Sequence, residues 1–209
     1  GIFYFFKHEE GQHTLIVADS TSEYEACLHQ EETIYQPGDS GLDWEDKITS
    51  LAMEQEIRIA KYTVNDYDFE APNADLKTDA STSQPLGPEE REVYDYPAKY
   101  TKRDEGDRLA NLRIQEEEAQ VTTITGVGRC RAFTSGYKFT LKGFYRADRT
   151  DKDYLLTSIF HEAKEPLGAA GDESVVSYSN RFTCLPWRGK YSMYPARAIR
   201  WSRCWPPAW

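Results

Sequence analysis

Gly1 to Ser20 reads GIFYFFKHEEGQHTLIVADS, two runs of aromatic and β-branched residues separated by the polar break His8-Glu9-Glu10-Gly11-Gln12-His13. That pattern predicts a β-hairpin. With the turn at Glu10-Gly11, Phe6 faces Leu15, Phe5 faces Ile16 and Tyr4 faces Val17, so aromatic and branched side chains meet across the strands. Both faces of such a hairpin are apolar, which leads us to expect a cover on each. From Ser20 to Asp46 the pattern dissolves into polar residues ending in Gln36-Pro37-Gly38-Asp39-Ser40-Gly41, and reads as a long surface excursion. Between Ile48 and Val64 the period is ambiguous. Ile48, Leu51 and Ala52 suit a helix, whereas Ile57, Ile59 and Tyr62-Thr63-Val64 suit strands, and strands are the reading adopted.

The segment from Leu76 to Glu90 has the composition of a loop. Tyr100 to Gln120 then predicts a helix, with Thr101 or Asp104 as N-cap and Leu109, Leu112 and Ala119 along one stripe. Its run Glu116-Glu117-Glu118 reads as a solvated face. Beyond Val121 the chain becomes a succession of short strands: VTTIT, GYKFTLKGFYR, DYLLTSIFHEA and VVSYSNRFTCLPW. In the second of these, Tyr137, Phe139 and Leu141 alternate with Lys138, Thr140 and Lys142, so one face is buried and the other wet. The expected fold is mainly β with minor α: an antiparallel barrel or sandwich, closed so that no edge is left open. It should be assembled from the Val121 to Pro195 strands together with strands of the Ile48 to Phe69 region, with the helix packed on its side.

Composition supports this class. Among 209 residues, 13% are aromatic, a share that suits pleated, half-buried surfaces. The formal net charge of -10 argues against a nucleic-acid or anionic-membrane partner, since those are held by Lys and Arg. The charge is also divided. Residues 1–120 carry 28 Asp and Glu against 11 Lys and Arg, a balance of -17, and residues 121–209 carry 7 against 14, a balance of +7. The two parts should attract each other, within one chain or between copies. Cys27, Cys130, Cys184 and Cys204 form no C-x-x-C pair and no zinc-ligand spacing, and read as buried thiols. No apolar run approaches the ~20 residues that span a bilayer, so no membrane anchor is expected.

Chemistry is sparse. Asp66, Tyr67, Asp68 and Glu70 could pair carboxylates beside an aromatic platform, as sugar-cleaving sites do. A run of alternating acids before Ala71-Pro72 promises neither a cleft nor a raised pKa, and reads better as structural. Asp148, Asp151 and Asp153 are interleaved with Arg146, Arg149 and Lys152, which suits an exposed hairpin loop and not a calcium loop. His8, His13, His29 and His161 stand in no recognisable nucleophile arrangement. Gly126-Val127-Gly128 precedes no helix, so it is no dinucleotide fingerprint and reads as a bend between strands. Trp187, Trp201, Trp205 and Trp209, with Arg188, Arg197, Arg200 and Arg203 between them, resemble a stacking platform only in composition. The expectation is no catalytic, cofactor-binding or metal-ligating set, and no enzyme.

The ordered segments are themselves familiar. GIFYFFKHEEGQHTLIVADS, then KYTVNDYDFEAPN from Lys61 to Asn73, VYDYPAKYTKRDEGDRLANLRIQEEEA from Val93 to Ala119, the stretch from Gly128 to Ala163 and YSNRFTCLPW from Tyr178 to Trp187 together resemble the VgrG spike proteins of type VI secretion, a phage baseplate hub-like family. The resemblance implies the later part of a tail hub, with a hairpin and loop region at 1–46 and the second hub β-barrel at 47–195, carrying an inserted loop and a helix at about 100–120. The stretch 196–209 (ARAIRWSRCWPPAW) departs from the family as an atypical tail. A first barrel would lie upstream of Gly1, and an OB-fold and needle downstream of Pro195. The implied role is structural: a homotrimer seated on the Hcp tube among type VI baseplate proteins, with a PAAR cap and effectors carried by the absent regions. Its implied location is the bacterial cytoplasm before firing, followed by secretion or injection. Two other classes compete. One is a carbohydrate- or peptidoglycan-binding or cleaving module, motivated by the aromatic content and Asp66 to Glu70. The other is an interaction domain whose Trp/Arg tail binds another protein.

Overall fold

The computed structural model describes residues 3–19, 21–38, 46–84, 86–88, 90–164 and 177–187. The hairpin pairs β1 (Phe3–Glu9) with β2 (Gln12–Ala18) in the expected register, Tyr4 opposite Val17, Phe5 opposite Ile16 and Phe6 opposite Leu15. Gly11 supplies the positive φ, 77°, that so tight a connection needs. Among the described residues, only one face is covered. Phe3, Phe5 and Ala18 pack with Tyr24 and Leu155, Phe3 stacking on Tyr24 at 4.4 Å between ring centroids. Tyr4, Phe6, Leu15 and Val17 are exposed, contrary to the expectation of a cover on both sides.

Six strands close a barrel in the order β10-β11-β8-β4-β3-β9. They are β3 (Glu32–Tyr35), β4 (Lys47–Gln55), β8 (Thr122–Gly128), β9 (Lys138–Lys142), β10 (Lys152–Lys164) and β11 (Ser177–Pro186). The barrel is mixed. β3 runs parallel to both β4 and β9, and the other pairs are antiparallel. β3 lies inside the stretch expected to be a surface excursion, so residues 1–46 contribute a wall of the barrel. Four residues flanked by polar sequence carry too little pattern to reveal a strand, and only closure of the sheet makes one of them.

Alternation sets the barrel interior. Phe139 and Leu141 of β9, Tyr154 and Leu156 of β10, Phe182 and Cys184 of β11, Ile124 of β8 and Ile48 of β4 form one buried cluster with Phe133, Cys27 and Cys130. Leu155, between two inward residues, points outward and is buried beneath the hairpin. This explains three consecutive buried side chains in a strand. Gly126 and Gly128 lie within β8 and not at a bend. A Cβ at Gly126 would stand 2.2 Å from Phe182 Cζ, and one at Gly128 2.7 Å from the Lys47 carbonyl, so these glycines serve close approach. Cys27, Cys130 and Cys184 are buried free thiols. Burial pushes the Cys27 thiol up to about 11 and raises those of Cys130 and Cys184 as well. Cys204 and the tail 196–209 lie outside the described residues.

A second, smaller core lies between β4 and β8 in the chain. β5 (Lys61–Val64), β6 (Thr78–Ser81) and β7 (Glu92–Asp95) form a three-stranded sheet in the order β6-β5-β7, and α1 (Arg103–Ala119) packs on it through Ala110 and Ile114 against Val64, Leu76, Ala80 and Tyr100. β4 joins the barrel as expected, but β5 does not, and the helix packs on this sheet and not on the barrel. The buried residues of α1 are Gly106, Ala110, Ile114, Glu118 and Ala119, the last as expected. Small residues let the helix approach closely, which leaves Leu109 only partly buried at the edge of the contact and Leu112 half-buried. The N-cap is Lys102, without a side-chain cap bond, and neither Thr101 nor Asp104. Glu118 is not solvated. It is buried and accepts hydrogen bonds from Thr82 Oγ1 at 2.8 Å, the Ser83 amide at 2.5 Å and Ser83 Oγ at 2.9 Å. Three donors from one loop make a buried carboxylate tolerable.

Candidate assembly surface

The acidic cluster proves to be a loop anchor. Asp66 Oδ1 accepts from the Tyr67 amide at 2.7 Å, while Oδ2 accepts from the amides of Lys99 and Tyr100. These bonds, the one from Tyr67 foremost, hold its carboxyl below the usual carboxylate range. Asp68 accepts from the Glu70 amide at 2.9 Å. Both carboxylates are thus occupied in shaping backbone, and the lowered pKa of Asp66 is the reverse of what a general acid needs. Asp148, Asp151 and Asp153 sit around the β9–β10 connection. Asp148 is paired with Arg146 at 3.0 Å and Arg149 at 3.2 Å, Asp151 with Lys142 at 3.0 Å, and Asp153 accepts from Thr140 Oγ1 at 2.7 Å.

The histidines separate. His161 Nδ1 lies 2.6 Å from Tyr178 Oη, which with Asn180 surrounds the Cys130 carbonyl. His8 and His13 face each other across the hairpin, Nδ1 to Nδ1, at 2.8 Å. Among the described residues no group of three or more His, Cys, Asp or Glu stands together as a metal set, and no helix is long and apolar enough to cross a membrane.

What the chain does present is sheet surface. On the outer hairpin face the paired rows are Tyr4 with Val17, Phe6 with Leu15 and His8 with His13. On the barrel exterior, register aligns Phe160, Arg181, Val127 and Ser50 in one row and Ser158, Thr183, Thr125 and Ala52 in the next. These line an open groove of about 560 Å³. Its side chains are uncharged apart from Arg181, which lies over the Phe160 ring at 5.9 Å. Such a face can pack closely against another protein and offers little to a small polar ligand. Sequence reading passed over these rows, although the alternation of Thr123, Thr125 and Val127 with Thr122, Ile124 and Gly126 carries them. The His8–His13 pairing follows directly from the predicted turn.

Two ion pairs join the acidic and basic parts within the chain. Asp46 of the acidic part pairs with Arg131 at 2.9 Å, and Glu32 with Lys142 at 3.1 Å, where β3 and β4 meet the basic strands.

A sequence profile described as phage tail baseplate hub (GPD) matches residues 1–167. The type VI secretion system spike proteins VgrG1b and VgrG1a of Pseudomonas aeruginosa are each 26% identical over 200 residues, covering 95% of this chain but 27% and 31% of their own lengths. The actin cross-linking toxin VgrG1 of Vibrio cholerae is 25% identical over 91% of this chain and 18% of its own. The chain thus spans less than a third of these relatives. In fold it is similar to the 43 kDa tail protein of prophage MuSo2 from Shewanella oneidensis, with TM-score 0.53, 9% identity and coverage of 83% of this chain and 47% of that one. It is also similar to E. coli c3393, a type VI secretion component with likeness to the T4 tail proteins gp27 and gp5, with TM-score 0.50, 15% identity and coverage of 94% and 36%. With a profile match over most of its length, the chain belongs to the phage tail baseplate hub family.

Proposed function

We propose that this chain is a structural segment of a type VI secretion spike, contributing one barrel to a trimeric hub that seats on the Hcp tube and is expelled with it. The observation that carries the proposal is the continuous match to named spike proteins across the hairpin, the six-stranded barrel and the small α/β lobe, in unbroken order. The physical character of the molecule supports it: the barrel exterior presents weakly charged sheet rows along an open groove. Type VI baseplate proteins join Hcp as its partners in this reading, whereas a PAAR cap and effectors would be carried by regions of the relatives that this chain does not span. Its location follows the same reading, the bacterial cytoplasm before firing and the exterior afterwards. The role is mechanical and not enzymatic. The sugar-cleaving alternative loses its motive once Asp66 and Asp68 are tied to backbone amides.

The test is native mass spectrometry and cross-linking of spike complexes isolated from cells that produce the protein. Three copies per complex with cross-links to Hcp are expected. A protein absent from such complexes, or present as one copy without Hcp links, would sink the proposal.

A further inference from the structure

The His8–His13 pair is left without a role by the assembly reading. The two imidazoles stand on directly paired positions of β1 and β2, on the outer face, with Nδ1 atoms 2.8 Å apart, ring centroids at 4.9 Å and planes at 71°. The Phe6 ring lies beside His8 on the same strand face, with ring centroids 6.4 Å apart and planes at 24°. Strand alternation turns Lys7, Glu9 and Gln12 to the other side, where Glu9 pairs with Lys7 at 3.2 Å and with Gln12 at 2.6 Å. The ammonium therefore does not oppose a cation at the histidines.

We propose that this pair chelates one divalent transition-metal ion, of the Ni²⁺ or Cu²⁺ type. Two imidazoles on paired positions of facing strands bring two nitrogen donors together without loss of backbone freedom, because the hairpin already sets those positions side by side. At metal–nitrogen distances of about 2.0 Å, adjacent positions of a square-planar or octahedral ion lie about 2.8 Å apart and tetrahedral positions about 3.3 Å apart, both within reach of the two rings. The choice of metal therefore rests on the high place of Ni²⁺ and Cu²⁺ in the affinity order for nitrogen donors. Both residues are exposed, so their rings can rotate to aim both lone pairs at one ion. The remaining positions fall to water, since no third ligating side chain stands with the pair among the described residues.

The experiment titrates the intact purified chain with Ni²⁺ and separately with Zn²⁺ by calorimetry, with NMR of the imidazole nitrogens as a second readout. One Ni²⁺ per chain is expected, bound more tightly than Zn²⁺, with the signals of His8 and His13 shifted together. His8→Gln should weaken Ni²⁺ binding at least ten-fold. The paired change His13→Thr with Thr14→His should do the same, because it keeps the histidine count and moves one ring to the opposite face. His29→Gln and His161→Gln should leave the affinity unchanged. Circular dichroism checks that each variant is folded. Absence of saturable binding, or binding that survives either hairpin variant, overturns the proposal.

Discussion

Adding one methyl group at Gly126 tests the barrel interior more sharply than removing a large side chain. The Cβ of an alanine there would lie 2.2 Å from Phe182 Cζ and 2.7 Å from each Cε, against the 3.5–4.0 Å of a favourable carbon contact. The ring cannot swing aside. Phe182 is buried, edge-on to Phe133 at 5.2 Å and to Phe139 at 6.0 Å. Overpacking of this kind costs about 1–3 kcal/mol, and the large overlap puts Gly126→Ala at the upper end. Loss of glycine's freedom in the unfolded chain returns roughly 0.5–1 kcal/mol. The net expectation is a loss of about 2 kcal/mol, or a urea midpoint lowered by about 1 M for a slope near 2 kcal/mol/M.

Phe182→Leu removes the clashing ring atoms and leaves a partial void, at an independent cost of about 1–3 kcal/mol. The double variant should then be little worse than Phe182→Leu alone, with a coupling energy of about 1–2 kcal/mol in the rescuing direction. Urea unfolding of the four proteins, followed by far-ultraviolet dichroism, measures the cycle. A neutral Gly126→Ala, or strictly additive effects, would show that Gly126 does not support Phe182 and that the barrel interior is arranged otherwise.

Phe139→Ala, which empties the centre of the same cluster, should cost ~3–5 kcal/mol, while Tyr145→Ala, at an exposed ring, should fall within about 0.5 kcal/mol; equal effects would refute the assigned faces. Asp66 has a folded pKa below its unfolded value, so its contribution is present above about pH 4 and fades as pH falls through the depressed value. Asp66→Asn should flatten that acid limb of the stability profile, and an unchanged limb would deny Asp66 its anchoring role. The isolated chain should be a monomer, or a trimer that dissociates at about 0.5 M salt, because exposed ion pairs contribute only ~0–1 kcal/mol each and are screened; light scattering that finds a trimer stable to salt and dilution would show that the described surfaces suffice for assembly.

The elements most legible in the sequence were those whose own pattern decides their structure. The hairpin register followed from a two-residue turn, and the faces of β9 followed from strict alternation at Tyr137, Phe139 and Leu141. What escaped depended on distant partners. β3 is a strand because it fills the single strand position between β4 and β9 and pairs with both. Glu118 is buried because Thr82 and Ser83 reach it from 36 and 35 positions away in sequence. The Gly126-Val127-Gly128 run looked like a bend because glycine signals missing side chains without saying which neighbour fills the space. Similarly, the small rows of the outer barrel face, Ser50 with Val127 and Ala52 with Thr125, become a surface only once register brings the strands side by side.

The placement of the α/β lobe shows how such distant pairing remains specific. β4 and β8 are an antiparallel pair whose register ends at Gln55 opposite Thr122, so residues 56–121 form the connection of one long hairpin. As a flexible loop, a connection of that length would cost roughly 2.5 kcal/mol more to close than a four-residue turn, and it would leave the register loosely fixed. A folded lobe changes the terms, because its own core holds its two ends together before the barrel pair forms. The Glu56 amide donates to the Val121 carbonyl at 3.0 Å, and Arg58 reaches Glu117 at 3.7 Å and Gln120, tying the entry strand to the exit of α1. These contacts continue the β4–β8 ladder into the lobe. Among the described residues the barrel and lobe cores are separate clusters, so backbone register joins them and the packing of the lobe need not disturb the strand order of the barrel.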